Sequence, residues 1–133
     1  MSKVQLNHLG LLNYSEDGVK KFYVDILGFS EQYRFSISAS EAQTIFGLEQ
    51  DMPVLVLDKD GIKLEIFIVP KSVEFAPAVN HICLNVTDRW AIAHQCRENG
   101  FGVTELERNG KRLLFVKDEA GNRFELKEIE VQH

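Results

Sequence analysis

The apolar positions of the chain switch between a period of two and a helical period, and the switches mark the elements. Val4–Leu12 alternates and is β-rich, which predicts a strand. Ser15 then suits a helix N-cap, with Glu16 and Asp17 in the first turn, where the helix dipole favours negative charge. Val19, Phe22, Tyr23, Ile26 and Leu27 follow at i, i+3, i+4, i+7 and i+8, the stripe of an amphipathic helix, and Gly28 supplies its stop. Phe29–Phe35 predicts a second strand. Ser36–Gln50 breaks the alternation: Ser40 as cap, Ala42, Ile45 and Phe46 within and Gly47 after predict a short helix. Met52–Asp58 and Ile62–Val69 predict a hairpin, and Pro70–Val79, with prolines at both 70 and 77, a linker. Beyond it come a strand at Asn80–Val86 and a helix capped by Asp88, running to about Asn99 and stopped by Gly100. Strands Val103–Arg108 and Lys111–Lys117 flank Asn109-Gly110, a two-residue hairpin signal, and Arg123–Ile129 closes the set.

Each half therefore reads strand–helix–three strands, and the halves are related by sequence. Shifting Val56–Ile66 by 60 positions onto Val116–Leu126 gives four identities, Val56/Val116, Asp58/Asp118, Gly61/Gly121 and Glu65/Glu125. Both copies predict two strands joined by a type I turn with Asp first and Gly fourth. Gly28-Phe29 matches Gly100-Phe101 at an offset of 72, against 60 later, so the first half carries 12 extra residues. They fall at Ser36–Gln50, and an insertion between strands is where selectivity often sits. This order predicts an α+β fold of two pseudo-symmetric βαβββ modules, residues 1–70 and 80–131, joined by a linker at 71–79 within one domain, 1–133.

Alternation also places the candidate chemistry. Leu64, Ile66 and Ile68 share one face in the first copy, and Phe124 and Leu126 in the second, so Glu65 and Glu125 point the other way. His8 matches His81 at an offset of 73. In the second half Ile82, Leu84 and Val86 form the apolar face and His81, Cys83 and Asn85 oppose it; in the first, Leu9 and Leu11 face the helix and His8, Gly10 and Leu12 oppose it. Each half thus offers one imidazole and one carboxylate on the face away from its helix. Two His and two Glu suit a borderline divalent metal such as Ni, Co, Mn, Fe or Zn. A lone Glu on a strand ordinarily faces solvent, but duplication gives solvent-facing residues no reason to match. By parity Leu12, Phe67, Cys83, Asn85, Lys63, Arg123 and Lys127 share faces with the ligands. Arg108, Lys111 and Arg112 near a hairpin tip could receive an anionic substrate, although a solvated turn explains them as well. Tyr33 and Trp90 have no evident role beyond packing.

With 133 residues, 44% hydrophobic and 26% charged, the chain is long enough to bury about two thirds of its unfolded surface as one soluble domain. A net charge of −5 argues against nucleic acid as partner. No apolar run spans a membrane and the N-terminus lacks an apolar leader core, so a cytoplasmic protein with a small-molecule partner is expected. Cys83 and Cys96 fit neither a disulfide framework nor a CxxC zinc site and are expected to be small buried hydrophobes.

The segments NHLGLL, FYVDILGF, KLEIF, VNHICLNV and FVKDEAGNRFELKEI resemble the vicinal oxygen chelate superfamily over nearly the whole chain. The resemblance implies paired βαβββ modules, each curling into half of an open barrel-like cleft around a metal. The family's four metal positions fall on His8, Glu65, His81 and Glu125. A complete His/Glu/His/Glu set is similar to glyoxalase I, whereas iron dioxygenases typically use three of the positions and bleomycin-binding relatives lack the set. The implied activity is a glyoxalase-like lyase or isomerase acting on a small 2-oxo or 2-hydroxy compound through an enediolate, with Glu65 or Glu125 as general base. A non-heme Fe(II) dioxygenase and a metal-free small-molecule-binding protein are the alternatives. Short bacterial glyoxalase I places glutathione clamps where this chain has Leu12, Val69 and Asn85. Short two-module relatives are commonly dimers, which implies a homodimer here.

Overall fold

In a computed structural model, residues 2–130 are described; Val131, the last residue expected in the second module, lies outside them. The chain divides between Glu74 and Phe75, inside the expected linker, into two compact units. In the first unit, β1 (Leu9–Asn13), β2 (Ser30–Ile37), β3 (Met52–Lys59) and β4 (Ile62–Ile68) form a sheet in the order β1-β4-β3-β2. In the second, β5 (His81–Val86), β6 (Val103–Arg108), β7 (Lys111–Lys117) and β8 (Arg123–Glu128) repeat it as β5-β8-β7-β6. The first strand of each unit runs parallel to the last, and all other neighbours are antiparallel. Two mixed sheets with few helices make the fold α+β, as the strand–helix–three-strand order predicts.

The first strand starts at Leu9, not Val4. Its partner β4 begins at Ile62 and pairs from Leu64 opposite Leu9, so no strand lies opposite Val4 and Leu6, which are exposed. His8 therefore precedes the strand.

Ser15 caps the following helix as expected, its hydroxyl accepting from the Gly18 amide at 3.0 Å. Only α1 (Glu16–Val19) is α-helical, however; Lys20–Ile26 is a π-helix. Leu27 N–H donates to the carbonyl of Phe22, five residues back, and the Lys20 ammonium meets the Asp25 carboxylate, five residues on, at 3.0 Å. An apolar stripe does not distinguish the two helix types, and π turns are rare enough to be invisible in it. The burial follows the stripe nonetheless. Val19, Phe22, Tyr23 and Leu27 are all buried, with the Phe22 and Tyr23 rings edge to face at 4.9 Å. Emptying the Phe22 position would cost about 3–5 kcal/mol.

The insertion forms α2 (Ala39–Phe46), capped by Ser38 and not Ser40. The Ser38 hydroxyl accepts from the Glu41 amide at 3.2 Å while the Glu41 carboxylate accepts from the Ser38 amide at 2.9 Å, a reciprocal box. That backbone hydrogen bond from Ser38, helped by the Ser38 side chain, holds the Glu41 carboxyl below the usual range. Ser40 also has an acceptor three residues on, Gln43, but the charged Glu41 makes the stronger box two residues earlier. The second unit's helix, α3 (Arg89–Glu98), begins at Asp88 as predicted, with the carboxylate accepting from Ala91 N–H at 3.1 Å.

The duplicated turns differ. Asp60 and Gly61 both have positive φ, 49° and 84°, and Lys59 pairs with Ile62, so the first turn is a two-residue type I′ loop, not the expected type I. The second keeps the Asp-first, Gly-fourth hydrogen bond, Gly121 N–H to the Asp118 carbonyl at 3.2 Å, inside a five-residue loop closed by Lys117 opposite Arg123. Buried Asp118 organises it. Its carboxylate accepts from the amides of Ala120 (3.0 Å) and Asn122 (2.8 Å) and from the Asn122 side chain (2.7 Å). Asn109 and Gly110, at φ 53° and 77°, form the I′ turn that their dipeptide signals.

Among the described residues no helix is long and apolar enough to cross a membrane.

Candidate metal centre

In each unit the strand pairing that joins first to last strand also sets the candidate chemistry. Gly10 lies opposite Glu65 on β1 and β4, and Cys83 opposite Glu125 on β5 and β8. The neighbours of both glutamates along their strands, Leu64 and Ile66 or Phe124 and Leu126, are buried, so alternation turns the carboxylates to the opposite face as predicted. There each meets the histidine of its own unit. His8 Nε2 stands 3.3 Å from Glu65 Oε1, and His81 Nε2 stands 3.7 Å from Glu125 Oε1. The carboxylates are largely covered, with side chains 15% and 16% exposed, while the imidazoles remain accessible at 37% and 43%.

The other ring nitrogen is tied down in both cases. His8 Nδ1 is 2.8 Å from the side-chain oxygen of Asn7, and His81 Nδ1 is 3.0 Å from the carbonyl of Val79. A carbonyl can only accept, so Nδ1 carries the proton and Nε2 of the neutral ring presents a lone pair. Beside that atom stands a carboxylate oxygen, which is also electron-rich, 3.3 Å away in the first unit and 3.7 Å in the second. Two such atoms facing each other at this range call for a positive charge between them, either a proton on Nε2 or a metal ion. Two ligand atoms each about 2.1 Å from one cation lie roughly 3.0 Å apart at a right angle and roughly 3.4 Å apart at the tetrahedral angle. The first pair falls in that range and fits a shared cation, whereas the second, at 3.7 Å, would have to close by a few tenths of an ångström to do so. Anchoring of the non-ligating nitrogen by an oxygen is also the usual second-layer arrangement of metal-binding histidine.

The four expected ligands thus form two pairs. Among the described residues no group of three or more His, Cys, Asp or Glu is assembled as a metal cage.

The flanks of the pairs differ. Beside Glu65, Gly10 leaves room for Phe67, whose Cε2 a Cβ at position 10 would meet at 3.3 Å. Phe67 packs edge to face on Phe46 of α2 at 5.3 Å, and Leu12 and Phe67 join the cluster of buried Ala42, Met52 and Val69. Two of the three glutathione-clamp positions, Leu12 and Val69, are therefore apolar packing sites, and the inserted helix walls this face. Lys63, assigned to the same face, lies over the Tyr33 ring at 5.8 Å, giving Tyr33 a partner beyond apolar packing.

Beside Glu125, Cys83 is exposed, contrary to the expectation that both thiols are buried; only Cys96 is. Removal from water, with Glu125 nearby, raises the Cys83 thiol, while Lys127 pulls the other way. The Phe115 ring stands 6.0 Å from the His81 ring, edge to face. Arg123 turns out to be structural: its guanidinium donates to the carbonyls of Pro77 (2.8 Å) and Ala78 (2.6 Å). Trp90, taken as a packing residue, instead lines a cavity of about 620 Å³ together with Glu125.

The sequence reasoning also missed the anchors of the histidines. A signal was present, since both are preceded by Asn, at Asn7-His8 and Asn80-His81, but only the first Asn does the anchoring.

The glyoxalase/bleomycin resistance protein/dioxygenase superfamily model matches residues 5–126. The chain belongs to this superfamily. No curated protein matches it in sequence. Among solved structures, a glyoxalase family protein from Enterococcus faecalis is 23% identical with a TM-score of 0.61, covering 93% of this chain and 97% of its own. The trypanothione-dependent glyoxalase I of Leishmania major is 18% identical with a TM-score of 0.67, covering 95% and 87%. A glutamate-to-glutamine mutant of the fosfomycin resistance protein FosX from Listeria monocytogenes, complexed with Mn(II) and 1S,2S-dihydroxypropylphosphonic acid, is 16% identical with a TM-score of 0.71, covering 98% and 95%. At these identities the likeness is one of fold.

Proposed function

We propose that this superfamily member is a divalent-metal-dependent lyase or isomerase of a small 2-oxo or 2-hydroxy compound, with His8, Glu65, His81 and Glu125 as the metal ligands. The observation that carries the reading is the matched commitment of both imidazoles. In each unit Nδ1 is held by an oxygen and Nε2 stands within 4 Å of a carboxylate oxygen. A structural histidine has no need of that pattern twice at equivalent places. The mixed nitrogen and oxygen set suits Ni, Co, Mn, Fe or Zn.

When bound, such a cation would polarise neighbouring substrate oxygens and stabilise negative charge as a proton leaves the adjacent carbon. The chain's own residues do the rest. His8 and His81, fixed through Asn7 and Val79, hold their Nε2 atoms in place without rotating. Glu65 or Glu125 takes the carbon-bound proton on a carboxylate oxygen; returning it to the neighbouring carbon gives isomerisation, delivery of a proton to the opposite face by the other glutamate gives epimerisation, and passing it to a departing hydroxyl, released as water, gives elimination. The apolar wall of Leu12, Phe46 and Phe67 limits water beside Glu65, which favours return of the proton to substrate over loss to solvent. A four-ligand set leaves fewer positions for oxygen than dioxygen chemistry wants, which ranks the dioxygenase reading lower.

Elemental analysis of the purified protein tests this directly. We expect a divalent metal that falls sharply in His8→Ala and in His81→Ala. Protein that carries none, and takes up none of Ni, Co, Mn, Fe or Zn on titration, would remove the reading. We further propose a homodimer in which one cation takes its two pairs from different chains. Refolding a His8→Ala/Glu65→Gln chain together with a His81→Ala/Glu125→Gln chain then regenerates metal binding. If both pairs come from one chain, the mixture stays empty.

A further inference from the structure

The cavity beside Glu125 holds more positive charge than its own structure consumes. Arg89, Lys111, Arg112 and Lys127 line it together with the carboxylates of Glu125, Glu128 and Glu130, four cations against three anions, in a chain of net charge −5. Two of these cations are spoken for. Arg89 donates to the carbonyl oxygens of Arg112 (2.9 Å) and Leu126 (3.4 Å), and its Nε stands 3.8 Å from Glu128 Oε1. Arg112 faces Glu105 at 3.5 Å and Glu107 at 3.9 Å. Lys111 and Lys127 have no carboxylate partner among the described residues. Both lie on the strand face of Glu125: Lys127 is two residues along β8, and Lys111 is an even number of residues from Phe115, which pairs with Glu125. Trp90 also lines the cavity, with the fixed Arg89 guanidinium 4.9 Å from its ring.

Two unpaired ammonium groups in one concavity repel each other, and an anion between them relieves that repulsion. Two residues along a strand is roughly 7 Å, about the span from the carboxylate oxygens to the remote phosphate oxygens of a phosphorylated three-carbon acid. We propose that the substrate carries a second anionic group, remote from the reacting oxygens, and that Lys111 and Lys127 receive it in the Trp90 cavity. The inference rests on the metal-dependent reading for which end of the substrate reacts, but not for the anion site itself.

Trp90 is the only tryptophan in the chain, so its emission reports occupancy of this cavity. The decisive titration uses nickel-loaded protein with lactate, malate and 3-phosphoglycerate, three 2-hydroxy acids that present the same neighbouring oxygens. Lactate has no remote anion, malate a carboxylate and 3-phosphoglycerate a phosphate, so the last two separate the possible anions. We expect malate or 3-phosphoglycerate to bind at least about tenfold more tightly than lactate, the size of a lost charge-assisted hydrogen bond. Lys111→Gln/Lys127→Gln should abolish that gap and leave lactate binding unchanged. A gap that survives in the double variant, or no gap in the parent, overturns the proposal. Inorganic phosphate added to metal-free protein is the independent arm. A saturable, lysine-dependent change in Trp90 emission there upholds the anion site even if the metal reading fails. Its absence, with metal binding intact, leaves the metal reading standing and sinks this one.

Discussion

Val56 and Val116 are identical residues at matching places in a duplicated sequence, yet they occupy opposite faces of their sheets. Val56 lies opposite Glu65, on the ligand face, whereas Val116 lies opposite Phe124, on the face turned to α3. The residue that stands opposite Glu125 is Phe115. The cause is in the turns. Four residues lie between the paired Asp58 and Lys63 in the first unit, and five between Lys117 and Arg123 in the second. One extra residue slips the third strand by one, and a slip of one exchanges its faces. The glutamates are unaffected because they follow the turn. The duplication thus keeps the imidazole–carboxylate pair while everything beside it diverges. The first pair is walled by Leu12, Phe67 and the inserted α2, and the second is flanked by Phe115, the exposed Cys83 and Lys127.

The sharpest way to break the equivalence of the two units is to neutralise each carboxylate in turn. Glu65→Gln and Glu125→Gln should each keep the fold and lower turnover by about 10²–10⁴-fold, the range of a lost general base. Loss of the carbon-bound proton into D₂O measures it. The residue that serves as base loses exchange while metal content is largely kept; one that only ligates loses both together. Full activity in either variant would exclude that carboxylate from the base role.

The next largest effect is on stability. Asp118 is buried and accepts from the Ala120 and Asn122 amides and the Asn122 side chain, whereas its sequence counterpart Asp58 is exposed and accepts from Gln32 at 2.9 Å. Asp118→Ala leaves buried donors unmatched and should cost about 2–3 kcal/mol by urea unfolding. Asp58→Ala should stay within about 0.5 kcal/mol. Equal costs would mean that the two turns do the same structural work.

Those turns mark where the sequence stops being legible. Alternation and caps locate each of the strands β1–β8, and the repeat finds both histidines and both glutamates, because burying one sheet face forces a period of two. The alignment of the repeats is nevertheless wrong by one residue across β3 and β7. Asp and Gly score as identities in either turn, and nothing local distinguishes a positive φ at Asp60 from an ordinary one at Glu119. The π turn at Lys20–Ile26 is hidden for a similar reason, since the stripe is satisfied either way. Trp90 is missed because its partners, Arg89 aside, come from β7, β8 and Glu130 just beyond, brought beside α3 only by the folded sheet.

A finer contrast lies in the histidine anchors. Asn7 holds His8 through its side chain, but His81 is held by the main chain of Val79 even though Asn80 precedes it. Asn7→Leu should weaken metal binding by about 10–100-fold, as expected for a lost second-layer contact. Asn80→Leu should leave it unchanged, because no side-chain substitution removes a carbonyl. Isothermal titration with nickel measures both, and matching losses would mean that the anchors are equivalent after all.

The smallest effect separates the units by their thiols, since both cysteines belong to the second. Cys96 is on the buried face of α3, and burial raises its thiol from 9.0 to about 11. The folded chain therefore keeps a proton that the unfolded chain releases above about pH 9. The stability associated with the neutral thiol is fully present below that pH and is lost as pH rises through about 11. Tyrosines ionise in the same window, so the informative quantity is the difference between the parent and Cys96→Ala. Unfolding midpoints of the two should converge steadily from pH 9 to 11, while a Cys83→Ala pair, altered at a thiol already exposed, should converge less. A constant Cys96→Ala difference across that range would place the thiol in contact with water, and with it would go the close packing of α3 on its sheet.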